Sequence, residues 1–172
     1  MADCAKNSVF FVGIYHEAVM LDLDEIDLKI LNELQEDARI SHQVLSERVG
    51  LSPSPCSRRI RILESKGIIT GYSAHIDERK LGFAMNIFVS VKLAHQVDTG
   101  LVSFERAIRL CPEVVDCWLM TGNRDYLLRV SVRDLDEFEH FLTARLTRID
   151  GVSSIESSIP IRRVKGGMSR LT

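Results

Sequence analysis

The amino-acid sequence predicts an α+β fold in two parts, a helical first part and a second part that alternates strands with helices. Two patterns indicate this division. Between residues 20 and 72 apolar side chains recur at helical spacing, and glycines end the segments. Between residues 84 and 165 apolar side chains mostly alternate, as in half-buried strands, with two helical segments among them. A chain of 172 residues that is 45% apolar can give each part its own core.

The composition excludes several classes of protein. A formal net charge of -2 argues against a chain that coats nucleic acid through bulk positive charge, so such binding requires a local basic patch. The cysteines form no C-x-x-C pair and the histidines offer no matching ligand spacing. We therefore expect no metal site, no disulfide framework and no cofactor. The cysteines are Cys4, Cys56, Cys111 and Cys117.

The beginning of the chain contains no predicted membrane segment. The apolar run at residues 8–15 is too short to cross a bilayer and has no positively charged region before it. We therefore expect a cytoplasmic protein. Residues 1–19 fit poorly with the organised pattern that follows, and we interpret them as a loose N-terminal arm or an over-long start.

Two short helices open the first part. The first is predicted over about residues 24–36, with Asp24 placed to cap it and acidic residues in its first turn. The second begins after Ser41, which is also a good N-cap, and ends at Gly50. Each carries one apolar face, which we expect to be buried.

The third helix carries the most informative stretch, GLSPSPCSRRIRIL at residues 50–63. Ser52 is placed to cap this helix, Pro53 takes the first helical position, and Gly67 lies just beyond its end. One face is apolar and contains Cys56, Ile60 and Leu63. The opposite face is small, polar and positively charged, and contains Ser54, Ser57, Arg58, Arg61 and Ser65. A strand-like segment, IITGYSAHI, is predicted to follow at residues 68–76.

This order of elements is that of a helix-turn-helix, whose last helix reads the major groove of DNA. Serine side chains are short, so the helix is able to approach bases and phosphates closely. The planar guanidinium of arginine binds guanine edges or phosphates in pairs of hydrogen bonds. One alternative is an arginine-rich face that is simply solvated, and another is a helix-turn-helix that binds only proteins. We predict that Ser52 anchors the helix near a phosphate and that the DNA-facing residues are Ser54, Ser57, Arg58 and Arg61.

The apolar pattern of the second part predicts the order β-α-β-β-α-β. This is the ferredoxin-like pattern, in which two helices cover one face of a four-stranded antiparallel sheet. In the second strand, Val115, Cys117 and Leu119 are expected to form the buried side. The predicted strands contain residues 87–93, 115–119, 128–132 and 152–163, and the predicted helices contain residues 101–108 and 135–149.

The other face of this sheet carries apolar side chains at the positions between the core residues: Phe88, Trp118, Met120 and Leu127. Exposed apolar side chains are common singly, but several on one small sheet favour a partner that covers them. We therefore predict that this face is the interface of a homodimer.

Three motifs in the chain are LDEIDLKILNELQEDARIS, LSERVGLSPSPCSRRIRILESKGIITGY and TGNRDYLLRV. Through these motifs, residues 21–165 resemble the Lrp/AsnC family of leucine-responsive and feast/famine regulators. The resemblance implies a cytoplasmic bacterial or archaeal transcription factor that binds double-stranded operator half-sites and forms dimers that assemble into octamers. It implies a winged helix-turn-helix at residues 20–72, a linker at 73–83, an effector-binding and oligomerisation domain at 84–165 and a tail at 166–172.

The resemblance also implies an effector site, because TGNRDY is similar to the family loop that meets small amino acids between subunits. Asp125 matches the acidic position, which implies pairing with a ligand ammonium, while N–H groups around Gly122 would meet the ligand carboxylate. Ser157 and Ser158 lie where the family places polar side chains. Arg124 replaces the usual aromatic residue, which leaves room for a polar or acidic ligand, or none.

A simpler interpretation of this loop remains open. Gly122 and Asn123 are good turn residues, and the carboxylate of Asp125 is able to hydrogen-bond its own turn. In that case the loop has no ligand.

Enzyme chemistry has little support in the sequence, which lacks a nucleophile elbow, a phosphate-binding glycine loop and a paired-histidine helix. Some relatives of this architecture resemble siroheme decarboxylases. In that alternative, His95 or His140 of this chain would serve a tetrapyrrole. We predict a transcriptional regulator that is not an enzyme, and the tetrapyrrole enzyme is the alternative.

Overall fold

The computed structural model describes residues 23–94, 98–166 and 171 of the chain. The chain divides into two compact units, with the boundary between Ser73 and Ala74. The predicted N-terminal arm at residues 1–19 lies outside the described residues, as do His95 and most of the predicted tail.

Three helices form the first unit, and their ends follow from capping chemistry. The Asp24 carboxylate accepts a hydrogen bond from the Asp27 backbone N–H at 2.8 Å and starts the first helix. Ser41 Oγ accepts from the Val44 N–H at 3.2 Å and starts the second, which Gly50 ends in the left-handed region at φ 74°. These three predicted end residues are confirmed. The helices are α1 (Glu25–Glu36), α2 (His42–Val49) and α3 (Pro53–Ser65).

The start of α3 differs from the prediction in one respect. Ser52 has the extended backbone of an N-cap residue, but its side chain makes no capping hydrogen bond. A common donor to an N-cap side chain is the N–H of the third helical residue, which here is Pro55 and carries none. Ser52 therefore starts α3 through its carbonyl oxygen, which accepts from the Cys56 N–H at 3.3 Å.

The segment after α3 is not the strand that the sequence predicts. Residues 68–76 contain no strand. Instead, the N–H groups of Ile68 and Ile69 both donate to the Leu63 carbonyl, at 2.9 and 3.2 Å, and both side chains pack against the helical core. A strand needs a partner strand to pair with, and the described part of this unit offers only helices.

The core of the first unit is compact and apolar. It is centred on the buried side chains Ile30, Leu45, Cys56, Ile60 and Leu63. The last three belong to α3 and confirm its predicted apolar face. Burial raises the pKa of the Cys56 thiol, so that the side chain stays neutral and acts as a small packing residue. Burial of this face leaves the opposite face of α3 at the surface.

The second unit has the predicted order β-α-β-β-α-β. Its strands form one antiparallel sheet in the order β2-β3-β1-β4. Side chains from both helices, including Phe104 and Phe141, are fully buried on one face of this sheet. The elements are β1 (Met85–Leu93), α4 (Asp98–Ile108), β2 (Val114–Leu119), β3 (Tyr126–Val132), α5 (Leu135–Ala144) and β4 (Val152–Ser158).

Two predicted elements end earlier than the sequence pattern indicates. The helix α5 stops at Ala144 because Arg145 leaves the helical conformation, and Leu146–Arg148 form a short 3-10 helix that still buries Leu146. The strand β4 stops at Ser158. Shortly after it comes Pro160, which has no N–H to donate to a neighbouring strand.

The strand β2 departs from regular alternation. Its pairing with β3 shifts between Val114 and Asp116, so Val114 packs against the core and Val115 becomes exposed. The prediction that Val115, Cys117 and Leu119 form the buried side is wrong, because all three are exposed. The irregular pairing and the position of β2 at the sheet edge account for this, since an edge strand has a neighbour on one side only.

Candidate DNA interface, sheet surface and effector loop

The outer face of α3 presents the serines and arginines that the sequence predicts to face DNA. Ser54, Arg58 and Arg61 are exposed and Ser57 is half-buried, while Ser52 is exposed at the start of the helix. Within the described residues, none of these side chains has a hydrogen-bond or ion-pair partner in the protein. Their donors are therefore available to a partner outside the chain.

The third arginine of the stretch has a different role. Arg59 Nη1 lies 2.7 Å from Asp24 Oδ2 and 2.8 Å from Asp27 Oδ1, both at the start of α1. Hydrogen bonds from Arg59 to Asp27 and Asp24 raise the pKa of the Arg59 guanidinium. The bridge joins α3 to the start of α1 and adds to the packing of the buried face of α3, which directs Arg58 and Arg61 outward.

One flank of this face forms a surface cavity of about 270 Å³ that sequence reasoning missed. Ser57 and Arg61, one helical turn apart, line it together with His42, Glu64 and Tyr72. The Tyr72 hydroxyl donates to Glu64 Oε1 at 3.0 Å and closes one side. Ser54 and Arg58 lie outside the cavity, so the predicted DNA face has a concave flank and an open flank. The spacing of residues 57, 61 and 64 was the signal in the sequence.

The face of the sheet opposite to the one covered by α4 and α5 is called the open face. It carries the four apolar side chains predicted for a dimer interface. Trp118 lies opposite Leu127 in the pairing of β2 with β3, and Phe88 lies opposite Arg129 in the pairing of β1 with β3. Met120 follows two residues after Trp118, which directs it to the same side. Trp118 and Met120 are 44% and 42% exposed, and the other two are half-buried. The result is an apolar patch at one end of the sheet.

Asp125, predicted to bind an effector, lies buried where the TGNRDY loop meets the sheet. Its Oδ2 accepts from the Leu93 N–H at 2.7 Å, and its own N–H donates to the Val91 carbonyl at 2.9 Å. Its carbonyl accepts from the Met120 N–H at 2.8 Å. Asp125 thus ties the loop to β1 and to the end of β2. Gly122, with φ 108°, and the neighbouring Asn123 form the exposed tip.

Arg124 reaches from this loop across to β4. Its guanidinium donates to Ser154 Oγ at 2.9 Å and forms a close ion pair with the Glu156 carboxylate. Glu156 is 62% exposed, so this carboxylate is accessible to a ligand. Sequence reasoning missed Ser154 and Glu156, although both lie on one face of β4 by alternation.

The two serines predicted to complete the effector site point to opposite faces of β4. Ser158 pairs with Phe88 on the open face, and Ser157 pairs with Val89, whose side chain is on the helix side. The structure therefore brings Ser158, but not Ser157, to the face that carries Arg124 and Glu156.

The described residues, 23–94, 98–166 and 171, contain no group of three or more His, Cys, Asp or Glu side chains arranged to hold a metal ion. They also contain no helix that is long and apolar enough to cross a membrane. His140 is exposed on α5.

Two family models match this chain, one for each unit. Residues 23–70 match a model described as winged helix-turn-helix DNA-binding, and residues 86–169 match the Lrp/AsnC ligand binding domain. Together these matches cover most of the chain.

Curated relatives and solved structures agree with these models. The chain is 47% identical over 145 residues to the Bkd operon transcriptional regulator of Pseudomonas aeruginosa, covering 84% of this chain and 95% of that protein. It is 40% identical over 144 residues to the leucine-responsive regulatory protein of Escherichia coli, covering 84% and 88%. A Neisseria meningitidis transcriptional regulator in complex with L-Met superposes with a TM-score of 0.82 at 36% identity, covering 86% and 96%. An AsnC family regulator from Agrobacterium tumefaciens gives 0.80 at 33% identity, covering the same shares.

Proposed function

The chain belongs to the Lrp/AsnC family of DNA-binding transcriptional regulators, and we propose that it binds paired operator half-sites as a homodimer through α3. It is a regulator and not an enzyme, and the relatives named above give the tetrapyrrole alternative no support. The proposed DNA-binding domain spans residues 20–72, and the proposed effector-binding and oligomerisation domain spans residues 84–165. Residues 73–83 join them. We expect the protein to act in the cytoplasm, where the DNA is.

The observation that carries the DNA proposal is that the three arginines of α3 differ in their contacts. Arg59 is bound within the unit, whereas Arg58 and Arg61 are exposed and have no partner among the residues that the structure describes. An unpaired guanidinium keeps all its donors for a phosphate or a guanine edge. Ser52 adds a hydroxyl that the helix does not use for capping, beside the N-terminus of α3, where the helix dipole favours an anion.

Dimerisation is proposed through the apolar patch of Phe88, Trp118, Met120 and Leu127. Burying a tryptophan and its apolar neighbours against a second copy removes from water a surface that is unfavourable to expose. A two-fold dimer presents two α3 helices, and the half-sites it binds should lie about one helical turn of DNA apart, or a multiple of that distance. We expect the dimers to assemble into octamers.

The proposed effector is a small amino acid bound between subunits at the TGNRDY loop. The L-Met bound to the Neisseria meningitidis relative supports this choice. Arg124 and Glu156 place opposite charges side by side, which suits the carboxylate and ammonium of a zwitterion. Asp125 would hold the loop in shape, because its carboxylate accepts from the Leu93 N–H. The proposed contacts are Gly122, Asn123, Arg124, Asp125 and Ser158, with Glu156 added. Ser157, which the sequence also predicts, is not among them, because it lies on the helix side of the sheet.

The DNA proposal is tested by selecting fragments from a random pool with the purified protein and measuring the affinity of the selected site. Arg61→Ala should weaken binding about tenfold. If Arg61 meets a phosphate, the variant should also flatten the slope of log affinity against log salt by about 1. If it reads a base, sequence preference at one position should relax instead.

Arg106→Ala is the matched control for this test, because Arg106 is an exposed arginine on α4 in the second unit. It removes the same charge from the chain without touching α3. Arg58→Ala and Arg61→Ala variants that keep both the affinity and the sequence preference of the wild type would contradict the assignment of α3.

A further inference from the structure

A network of polar side chains covers the end of the open sheet face that the apolar patch leaves free. Its outermost member is Glu78, in a short 3-10 helix (Glu78–Leu81) that precedes β1. Glu78 Oε2 accepts from Ser131 Oγ at 2.9 Å and from Asn86 Nδ2 at 3.3 Å, and Glu78 Oε1 accepts from Arg129 Nη1 at 3.2 Å. One carboxylate thus binds side chains of both central strands.

Arg129 lies at the centre of this network. Its Nε donates to Asp116 Oδ2 at 2.6 Å and its Nη1 also donates to Asn86 Oδ1 at 2.9 Å. The side chains of Arg129 and Glu78 are only 28% and 30% exposed. Burial alone would raise the pKa of Glu78, but the hydrogen bonds from Ser131 and Arg129 outweigh it and hold that pKa below its usual value. The carboxylate is therefore charged and bound near neutral pH.

The 3-10 helix has little else to attach it to the sheet. None of its residues is buried, and Leu81 is 64% exposed. Its remaining bonds are local, such as the Arg79 N–H that donates to Asp77 Oδ1 at 3.2 Å. Because a turn without apolar anchors opens readily, its attachment depends on the bonds of Glu78.

We propose that Glu78 and Arg129 are positioning residues for DNA binding, which latch the segment entering the second unit onto its sheet and thereby shorten the tether to the DNA-binding unit. This inference rests on the proposed dimer. With the latch closed, the free tether is residues 73–77, which span at most about 18 Å when fully extended. With the latch open, it extends to residue 82, because the half-buried Phe83 still lies against the Arg133 guanidinium, and it spans up to about 35 Å.

The difference of about 17 Å in reach is half of the roughly 34 Å of one helical turn of DNA. A short tether restricts which half-site separations both α3 helices of a dimer reach at once, whereas a long tether tolerates many. The latch therefore acts on the choice of operator spacing and leaves the contact of α3 with a single half-site unchanged.

The first experiment tests the latch without DNA. Trypsin cleaves after Arg79 and Lys80, and both lie within the 3-10 helix. We expect Glu78→Ala and Arg129→Ala to speed cleavage at these two bonds by roughly fivefold or more, since protease attack requires local opening. Mass spectrometry identifies the bonds cut. Glu78→Gln, which keeps a side-chain oxygen for Ser131, should lie between wild type and Glu78→Ala.

The control for cleavage is Glu139→Gln, which neutralises an exposed carboxylate on α5. It should cleave like wild type. Cleavage after Arg79 and Lys80 that is as fast in the wild type as in Glu78→Ala and Glu78→Gln would overturn the latch, whatever the protein does with DNA.

The second experiment measures affinity for DNA that carries one half-site, and for pairs of half-sites moved apart in single base-pair steps. The wild type should lose about tenfold when the spacing changes by half a helical turn, and Glu78→Ala should lose less than about threefold. Affinity for one half-site should be equal in both. Identical spacing profiles would overturn the positioning role, whereas failure of the wild type to bind any half-site would contradict the DNA proposal instead.

Discussion

Two surfaces in the described part of the chain have no partner there, and they differ in chemistry. The outer face of α3 is polar and positively charged, and Arg58 and Arg61 have no ion-pair partner among residues 23–94, 98–166 and 171. The apolar end of the open sheet face exposes Trp118 and Met120. The first surface suits a polyanion, whose binding weakens with salt, and the second suits another apolar surface, whose burial does not. Salt therefore distinguishes the two proposed partners.

The largest expected effect is on the sheet surface. Trp118→Glu would place an unpaired charge in the proposed dimer interface, at a penalty of roughly 4 kcal/mol, which is close to a thousandfold in dimer affinity. Light scattering should then show monomers. Leu110→Glu is the control, because Leu110 is 76% exposed in the turn after α4 and lies outside the patch. An oligomer mass for Trp118→Glu that equals that of the wild type would exclude this patch as the interface.

The second prediction compares the two surfaces directly by raising salt from 50 to 200 mM. If Arg58 and Arg61 of both protomers each meet a phosphate, affinity for the operator should fall roughly a hundredfold over this range. The dimer interface should persist, because burial of apolar surface is not weakened by screening, so light scattering should show no monomers at either salt concentration. Dissociation of the dimer in parallel with the loss of DNA binding would remove the distinction between the two surfaces.

The third prediction concerns the effector loop, which borders the sheet surface. In a thermal-shift screen of the twenty amino acids, at least one should raise the melting temperature of the wild type. At ten times its Kd a ligand adds about 1.4 kcal/mol to the stability of the folded state. Arg124→Ala and Glu156→Gln should each abolish this shift.

Asp125→Asn separates structure from binding in the same screen. The variant keeps an oxygen that is able to accept from the Leu93 N–H but loses the negative charge. Loss of the ligand shift with an unchanged melting temperature of the free protein would assign the charge of Asp125 to the ligand. A wild type that no amino acid stabilises would contradict the site.

The smallest effect is expected from a comparison within α3, between Arg59, which forms an ion pair, and the exposed Arg58. Arg59→Ala removes the partner of Asp24 and Asp27 and should lower the melting temperature by a few degrees at most, since this bridge is partly exposed and screened. Arg58→Ala should leave the melting temperature unchanged and weaken DNA binding. The opposite result, a destabilised Arg58→Ala protein, would show that the outer face of α3 is needed for folding.

Local chemistry explains why much of the fold could be predicted from the sequence. Asp24, Ser41 and Gly50 define helix ends through contacts with residues only a few positions away, and these predictions are confirmed. The side chain of Ser52 makes no capping hydrogen bond, although serine is favoured at this position. Proline at position 55 has no N–H to donate to it. Most of the other differences between the predicted and the observed structure depend on contacts between residues that are far apart in the sequence.

The roles of individual arginines show where sequence reasoning stops. The pairing of Arg59 with Asp27 joins residues 32 positions apart, and the bond from Ser131 to Glu78 joins residues 53 positions apart. Helical spacing separates Arg59 from the face of Arg58 and Arg61, but it does not identify Asp24 and Asp27 as the partners of Arg59. The shift in β2 and the contact of Arg124 with β4 likewise depend on which strands become neighbours. Their positions became clear only once the sheet order was known.

The two prolines in the first turn of α3 have a further consequence, which concerns entropy. The rings of Pro53 and Pro55 fix two backbone angles in the folded and the unfolded chain alike. The turn beside Ser52 and Ser54 therefore has few conformations to lose when a partner binds. A surface that is already ordered before contact retains more of its interaction free energy as affinity, and the start of α3 has this property even though its serine cap is missing.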